Sequence, residues 1–150
     1  MRKPLLSIGM ILAVALGAAA PARGQTAADS SAIRQAALDY AEGYYTANAE
    51  RMEKALHPEL AKRIVRTNDR GQSSLGQMGA LTLVMGTRAG GGSETPEADR
   101  IADVQILDIF ENAASVRTEM SGWVDYMHLG KWNGEWKIVN VLWALKPETH

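Results

Sequence analysis

Asp125 is the residue whose setting most suggests chemistry. Asn133-Gly134 is a strong hairpin signal, because both central residues of such a two-residue turn need positive φ. A turn there pairs Trp132 with Glu135, then Leu129 with Ile138, Met127 with Asn140, Asp125 with Leu142 and Trp123 with Ala144. This register puts Asp125 in mid-strand on an apolar face, beside Trp123, Met127 and Leu142. A desolvated carboxylate there suits a general base that takes a proton from the carbon next to a carbonyl, the work of a cofactor-independent isomerase or dehydratase. The alternative is that Asp125 bonds a helix-end amide or an arginine and only orders the fold.

The neighbouring residue types allow a site around it. Asn140 falls on the same face, diagonal to Asp125, and can orient a ligand or hold the carboxylate; Thr118, opposite Asp125, can do the same. Histidine is the side chain suited to acid–base work near neutral pH, and His57 sits where a helix breaks, so it is a candidate general acid, or a cap for the helix C-terminus. Tyr40 and Tyr44 share one helical stripe. Together with Trp123, Trp136 and Met127 they can line a pocket for a flat ligand or simply pack the core. The opposite face of the last strand carries Val139, Val141 and Trp143, an apolar stripe that a monomer would expose and a homodimer would cover. His128 falls on that outer face too, away from His57.

Negative evidence narrows the chemistry. Cysteine is absent, which excludes disulfides, thiol catalysis and thiolate metal sites. The three histidines are too few and too scattered for a metal motif, and no glycine-rich phosphate loop or nucleophile elbow occurs. The expectation is therefore no metal and no cofactor. With 16 Lys+Arg against 17 Asp+Glu, nothing in the charge favours nucleic acid.

These residues must be positioned by a helical half and a strand half. Ser30 or Ser31 can cap a helix whose apolar stripe runs Ile33, Ala36, Ala37, Tyr40, Ala41, Tyr44. Asn48 can cap a short second helix through Leu56, which Pro58 ends. Leu60 to Val65 reads as a short strand, Asn68 to Gly76 as a loop, and Leu75 to Met85 as a third helix weakened by two glycines. Ala89 to Asp99, with Gly90-Gly91-Gly92, reads as a flexible loop without packing chemistry. The period then changes to two, which predicts strands at Ile101–Phe110, Ala113–Met120, Trp123–Trp132 and Glu135–Leu145. Ser121-Gly122 supplies a second tight turn, pairing Thr118 with Asp125. Helices followed by an antiparallel sheet make an α+β domain.

The 150 residues allow one such domain, preceded by a leader. Arg2 and Lys3, an apolar run from Leu5 to Leu16 and small residues up to Gly24 form the three parts of a secretory signal. The run is shorter than the ~20 residues a membrane span needs. The expected organisation is a signal peptide over 1–24 and one domain over 25–150, periplasmic or secreted, with no stable membrane anchor. Cleavage after Ala22 or after Gly24 fits equally.

The run Met52 to His57-Pro58-Glu59-Leu60, preceded by the aromatic helix Ala36 to Tyr45, is followed at a distance by Asp125-Tyr126-Met127-His128-Leu129. Then come Lys131 and Asn133-Gly134-Glu135-Trp136-Lys137-Ile138-Val139-Asn140. Over about residues 31–147 the chain resembles the nuclear transport factor 2-like superfamily, and within it the exported group called putative lumazine-binding proteins. The resemblance implies a cone, in which a curved antiparallel sheet wraps a long helix and leaves a pocket, and it implies frequent dimerisation through the sheet. That fold serves isomerases, dehydratases, polyketide cyclases and plain binding domains, so it fixes no function. The reading is an exported protein binding a small, partly apolar molecule in the cone without catalysis. The alternatives are an isomerase or dehydratase using Asp125, and a dimeric interaction module with a filled cone.

Overall fold

The computed structural model describes residues 26–147; the leader expected at 1–24 lies outside them. Helix α1 (Ala27–Tyr45) starts one turn earlier than Ser30 or Ser31 would place it. Its cap is Thr26, whose hydroxyl accepts the Asp29 N–H at 3.0 Å. One stripe of α1 is buried: Ile33, Ala36, Ala37, Tyr40 and Ala41. Asn48 caps α2 (Ala49–Ala55) as expected, its Oδ1 accepting from the Arg51 N–H at 2.9 Å.

Strand β1 (Leu56–Thr67) follows α2 directly and is twice the length the sequence suggested. It pairs antiparallel with β2 (Ser73–Gly79), where the sequence suggested a loop and the start of a helix. The long β1 supplies an edge whose backbone groups β2 satisfies. Helix α3 (Ala80–Arg88) therefore begins only after Gly79.

Strands β3 (Ala102–Phe110), β4 (Ala113–Met120), β5 (Trp123–Trp132) and β6 (Glu135–Leu145) match the expected spans to within one residue. The sheet order is β2-β1-β6-β5-β4-β3. All neighbours are antiparallel except β1 and β6, so the sheet is mixed rather than purely antiparallel. It curves around α1 without closing, giving the expected cone-shaped α+β fold. Among the described residues no helix is long and apolar enough to cross a membrane.

One irregularity overturns half of a strand face. Leu129 pairs with Ile138 as the hairpin turn dictates, but His128 pairs with Asn140, leaving Val139 as a bulge. Beyond it the parity of β6 is reversed: Met127 faces Val141, and Asp125 faces Trp143 rather than Leu142. The bulge sends two apolar side chains inward and an asparagine outward, and it bends the strand around the helix. Val141 is fully buried, while Leu142 is about half exposed on the outer face. Of the outer stripe assigned to Val139, Val141 and Trp143, Val139 keeps its place beside Ser115 and His128, while Val141 and Trp143 turn inward. The open face carries instead the cross-strand pairs Val65–Leu75 and Tyr126–Leu142, all four exposed.

Candidate functional site

The inner face of β1 reads Leu60, Lys62, Ile64, and all three side chains are buried. A lysine in the middle of that face needs a partner, and it has one. Lys62 Nζ donates to Asp125 Oδ1 at 2.5 Å and also to the Tyr40 hydroxyl. The second carboxylate oxygen, Oδ2, accepts the Trp123 indole N–H at 2.8 Å. Asp125 is 0% exposed with both oxygens engaged, and the undisturbed β4–β5 register sets Thr118 opposite it. The Thr118 hydroxyl turns to the Met127 sulfur at 3.5 Å instead of to the carboxylate.

Aromatic rings enclose the ammonium. Lys62 Nζ lies 4.8 Å from the Trp143 ring centre, 5.1 Å from that of Tyr40 and 5.8 Å from that of Trp123. The cationic head thus gains ring-quadrupole attraction as well as its ion pair. Burial pushes the Lys62 ammonium below its ordinary range, while the Asp125 charge works the other way. Burial, and then the Asp125 charge, pushes the Tyr40 phenol well above 10.0, so it stays protonated at neutral pH.

Beside this cluster lies a cavity of about 250 Å³, walled by Tyr40, Tyr44, Lys62, Met78, Leu83, Trp123, Trp143 and Leu145. Lys62 is the one charged group in that wall. Asp125 does not reach it and bears on the cavity through Lys62. The Trp143 indole N–H is buried there without a hydrogen-bond partner.

Tyr44 is held by the glycine run. Gly92 N–H donates to the Tyr44 carbonyl at 2.9 Å, and a Cβ on Gly92 would stand 2.4 Å from the tyrosine ring. Gly91 adopts φ 52°, and a Cβ there would stand 2.4 Å from the Tyr44 carbonyl oxygen. The segment read as merely flexible packs behind Tyr44, which forms part of the cavity wall.

Of the residues singled out in the sequence, Asp125, Tyr40, Tyr44 and Trp123 come together here. The others go elsewhere. Asn140 lies on the outer face, accepting from Arg63 at 3.1 Å and standing 3.3 Å from His128 Nδ1, because the bulge reverses β6. Trp136 is buried at the far end of the core, donating to Asp29 Oδ1 at 2.9 Å, and Met127 is packed inside the core. His57 packs edge-on against Trp132 at 4.8 Å and accepts the Glu59 N–H. Trp132 is seven residues beyond Asp125 along β5, roughly 23 Å at the rise of a strand, so His57 and Asp125 do not form a pair. Two participants escaped the sequence reading. Trp143 was assigned to the wrong face, and Lys62 left one signal, a lysine at the inward position of Leu60-Ala61-Lys62-Arg63-Ile64.

The family profile described as "Putative lumazine-binding" matches residues 28–144. An NTF2-like protein of unknown function from Shewanella baltica OS155 superposes with a TM-score of 0.60 at 22% identity, covering 83% of this chain and 100% of its own. One from Methylobacillus flagellatus KT gives 0.61 at 21% identity, covering 82% and 96%. A cystatin-like fold from Nostoc punctiforme PCC 73102 gives 0.57 at 15% identity, covering 81% and 94%. At these identities the likeness is one of fold. No curated protein matches the chain.

Proposed function

The chain belongs to the putative lumazine-binding family within the nuclear transport factor 2-like fold, and we propose that after export it binds a small, flat, partly apolar molecule in the cone. The observation that carries this reading is the aromatic cavity with a single charged group, Lys62, in its wall. Sites for small organic ligands combine mostly apolar walls with a few fixed polar groups. Here the rings of Tyr44, Trp123 and Trp143 offer stacking surfaces, and Lys62 and Tyr40 offer polar hydrogens. The open cavity favours binding over a filled-cone interaction module. The engagement of both Asp125 oxygens favours binding over direct proton abstraction by that carboxylate.

The homodimer belongs to the same proposal, with its surface moved to Val65, Leu75, Tyr126 and Leu142. These apolar side chains form a band across the open face, and a second copy of the same face would cover it about a two-fold axis.

Titration with small aromatic compounds, followed by tryptophan fluorescence, tests the binding reading, since Trp123 and Trp143 both wall the cavity. Saturable quenching that Trp143→Ala abolishes is the expected result. No change with any aromatic compound, from a folded protein, would remove the proposal.

A further inference from the structure

Lys62 is an amine held among aromatic rings at the wall of the cavity, with a carboxylate and a phenol within hydrogen-bonding reach of its nitrogen. An ion pair alone would not require this setting, and a lysine that only recognised an anion would work better free of Asp125. We propose that the site captures ligands bearing an aldehyde or ketone as a Schiff base on Lys62. This inference rests on the binding reading above and names the ligand class for that same cavity.

The groups present balance the reaction. The Lys62 ammonium passes one proton to Asp125, and the freed nitrogen lone pair attacks the carbonyl carbon, forming the C–N bond as the C=O π electrons move to oxygen. The former ammonium nitrogen passes a proton to that oxygen through the Tyr40 hydroxyl, giving a carbinolamine. Asp125 returns its proton through the Tyr40 hydroxyl to the new hydroxyl, which leaves as water while the nitrogen lone pair forms the C=N bond. The product is a protonated imine opposite the Asp125 carboxylate, so the charge of the original pair is preserved. Nothing is oxidised or reduced, and no further reactant is needed.

Three features fit this chemistry. Burial lowers the Lys62 ammonium from its ordinary 10.5, which raises the share of nucleophilic amine. The Asp125 carboxylate, fixed by Trp123, is a proton relay that cannot swing away. The rings of Tyr40, Trp123 and Trp143 around the buried Lys62 nitrogen shield an imine there from water, whose attack would otherwise compete.

The test uses benzaldehyde, a single ring that suits a cavity of about 250 Å³, with sodium cyanoborohydride to reduce any imine to a stable benzylamine. Intact mass should show one benzyl group per chain at low reagent, and peptide mapping should place it on Lys62. Lys54, Lys131, Lys137 and Lys146 of the same molecule serve as internal references. Labelling of Lys62 should exceed theirs at least about tenfold, the preference that about 1.4 kcal/mol of binding in the cavity gives. Benzyl alcohol, which cannot form an imine, is titrated in parallel by tryptophan fluorescence. Benzyl groups spread over the reference lysines, with benzyl alcohol still binding, would overturn the Schiff-base inference and leave the cavity reading intact. If neither compound binds and Lys62 stays unlabelled, both readings fail. The mapping needs no variant, so no folding defect can obscure it.

Discussion

The Lys62 ammonium reaches over β6 to meet the Asp125 carboxylate at 2.5 Å, so two strands that are not neighbours in the sheet are tied together inside the cone. Val141 and Trp143 of the intervening strand lie beneath the bridge, paired with Lys62 and Asp125 respectively. Their inward orientation exists only because of the bulge at Val139. The same irregularity therefore builds the aromatic floor under Lys62 and removes Asn140 from the site.

Breaking this pair from one side should cost far more than removing it whole. Lys62→Met leaves a carboxylate buried without its cation, a loss of about 3 to 5 kcal/mol in urea unfolding. The double variant Lys62→Met/Asp125→Leu leaves no charge inside and should recover most of that loss. A double variant no more stable than the single one would show that the site, and not the orphaned charge, governs stability.

How much of this was legible in the sequence follows from what each element depends on. The hairpins at Ser121-Gly122 and Asn133-Gly134 are local, so β4, β5 and β6 could be read to the residue. Strand β2 could not, because it exists through pairing with β1, a relation between residues Thr67 and Ser73 outward that no period in its own sequence reveals. The bulge is likewise a tertiary choice: the two-residue turn sets Leu129 against Ile138, and only the burial of Val141 and Trp143 makes the slip worthwhile. Asp125 was legible as an inward carboxylate because it lies on β5, whose parity is undisturbed. Its partner was not, since Lys62 sits 63 residues earlier on a strand whose span was underestimated.

The reversed parity separates two substitutions on adjacent residues. Leu142→Glu places a charge on the open face and should convert a dimer to a monomer in light scattering, with the melting temperature little changed. Trp143→Glu places a carboxylate in the cavity wall beside Asp125 and should instead destabilise the fold. If Trp143→Glu gave a well-folded monomer and Leu142→Glu stayed dimeric, the face assignment would be wrong. Asn140→Ala and His57→Ala, both away from the cavity, should leave ligand affinity unchanged.

The response to pH has opposite signs at its two ends. Asp29 is held well below the usual carboxylate range by Lys131, and further by Trp136 and Thr26. A depressed folded pKa gives stability that is present above the unfolded value of 3.8 and lost as pH falls through the folded one. Asp29→Asn should therefore flatten the acid limb. Lys62 is depressed too, but for a lysine this means that the unfolded chain holds the proton more tightly. Its cost is fully present below the folded pKa and shrinks as pH rises toward 10.5. Tyr40 then reverses the trend, since above pH 10.0 the unfolded phenol ionises while the folded one does not. Urea midpoints should rise on the alkaline side and then fall, and Tyr40→Phe should lessen the fall.

The glycine run gives a way to change the cavity without touching any group that could react. Gly92 lies where a Cβ would stand 2.4 Å from the Tyr44 ring, far inside van der Waals contact, so Gly92→Ala must displace that ring. Tyr44 in turn packs edge-on against Trp123 at 5.4 Å, and the Trp123 indole holds Asp125. The displacement should narrow or open the cavity, while Lys62 and Asp125 keep the hydrogen bond they make to each other. We expect an aromatic ligand to bind about tenfold more weakly, about 1.4 kcal/mol, by fluorescence titration. Gly122→Ala, where a Cβ meets open space, is the matched control and should bind as the wild type does. Equal affinity in all three proteins would place the ligand away from Tyr44, and with it away from the cavity.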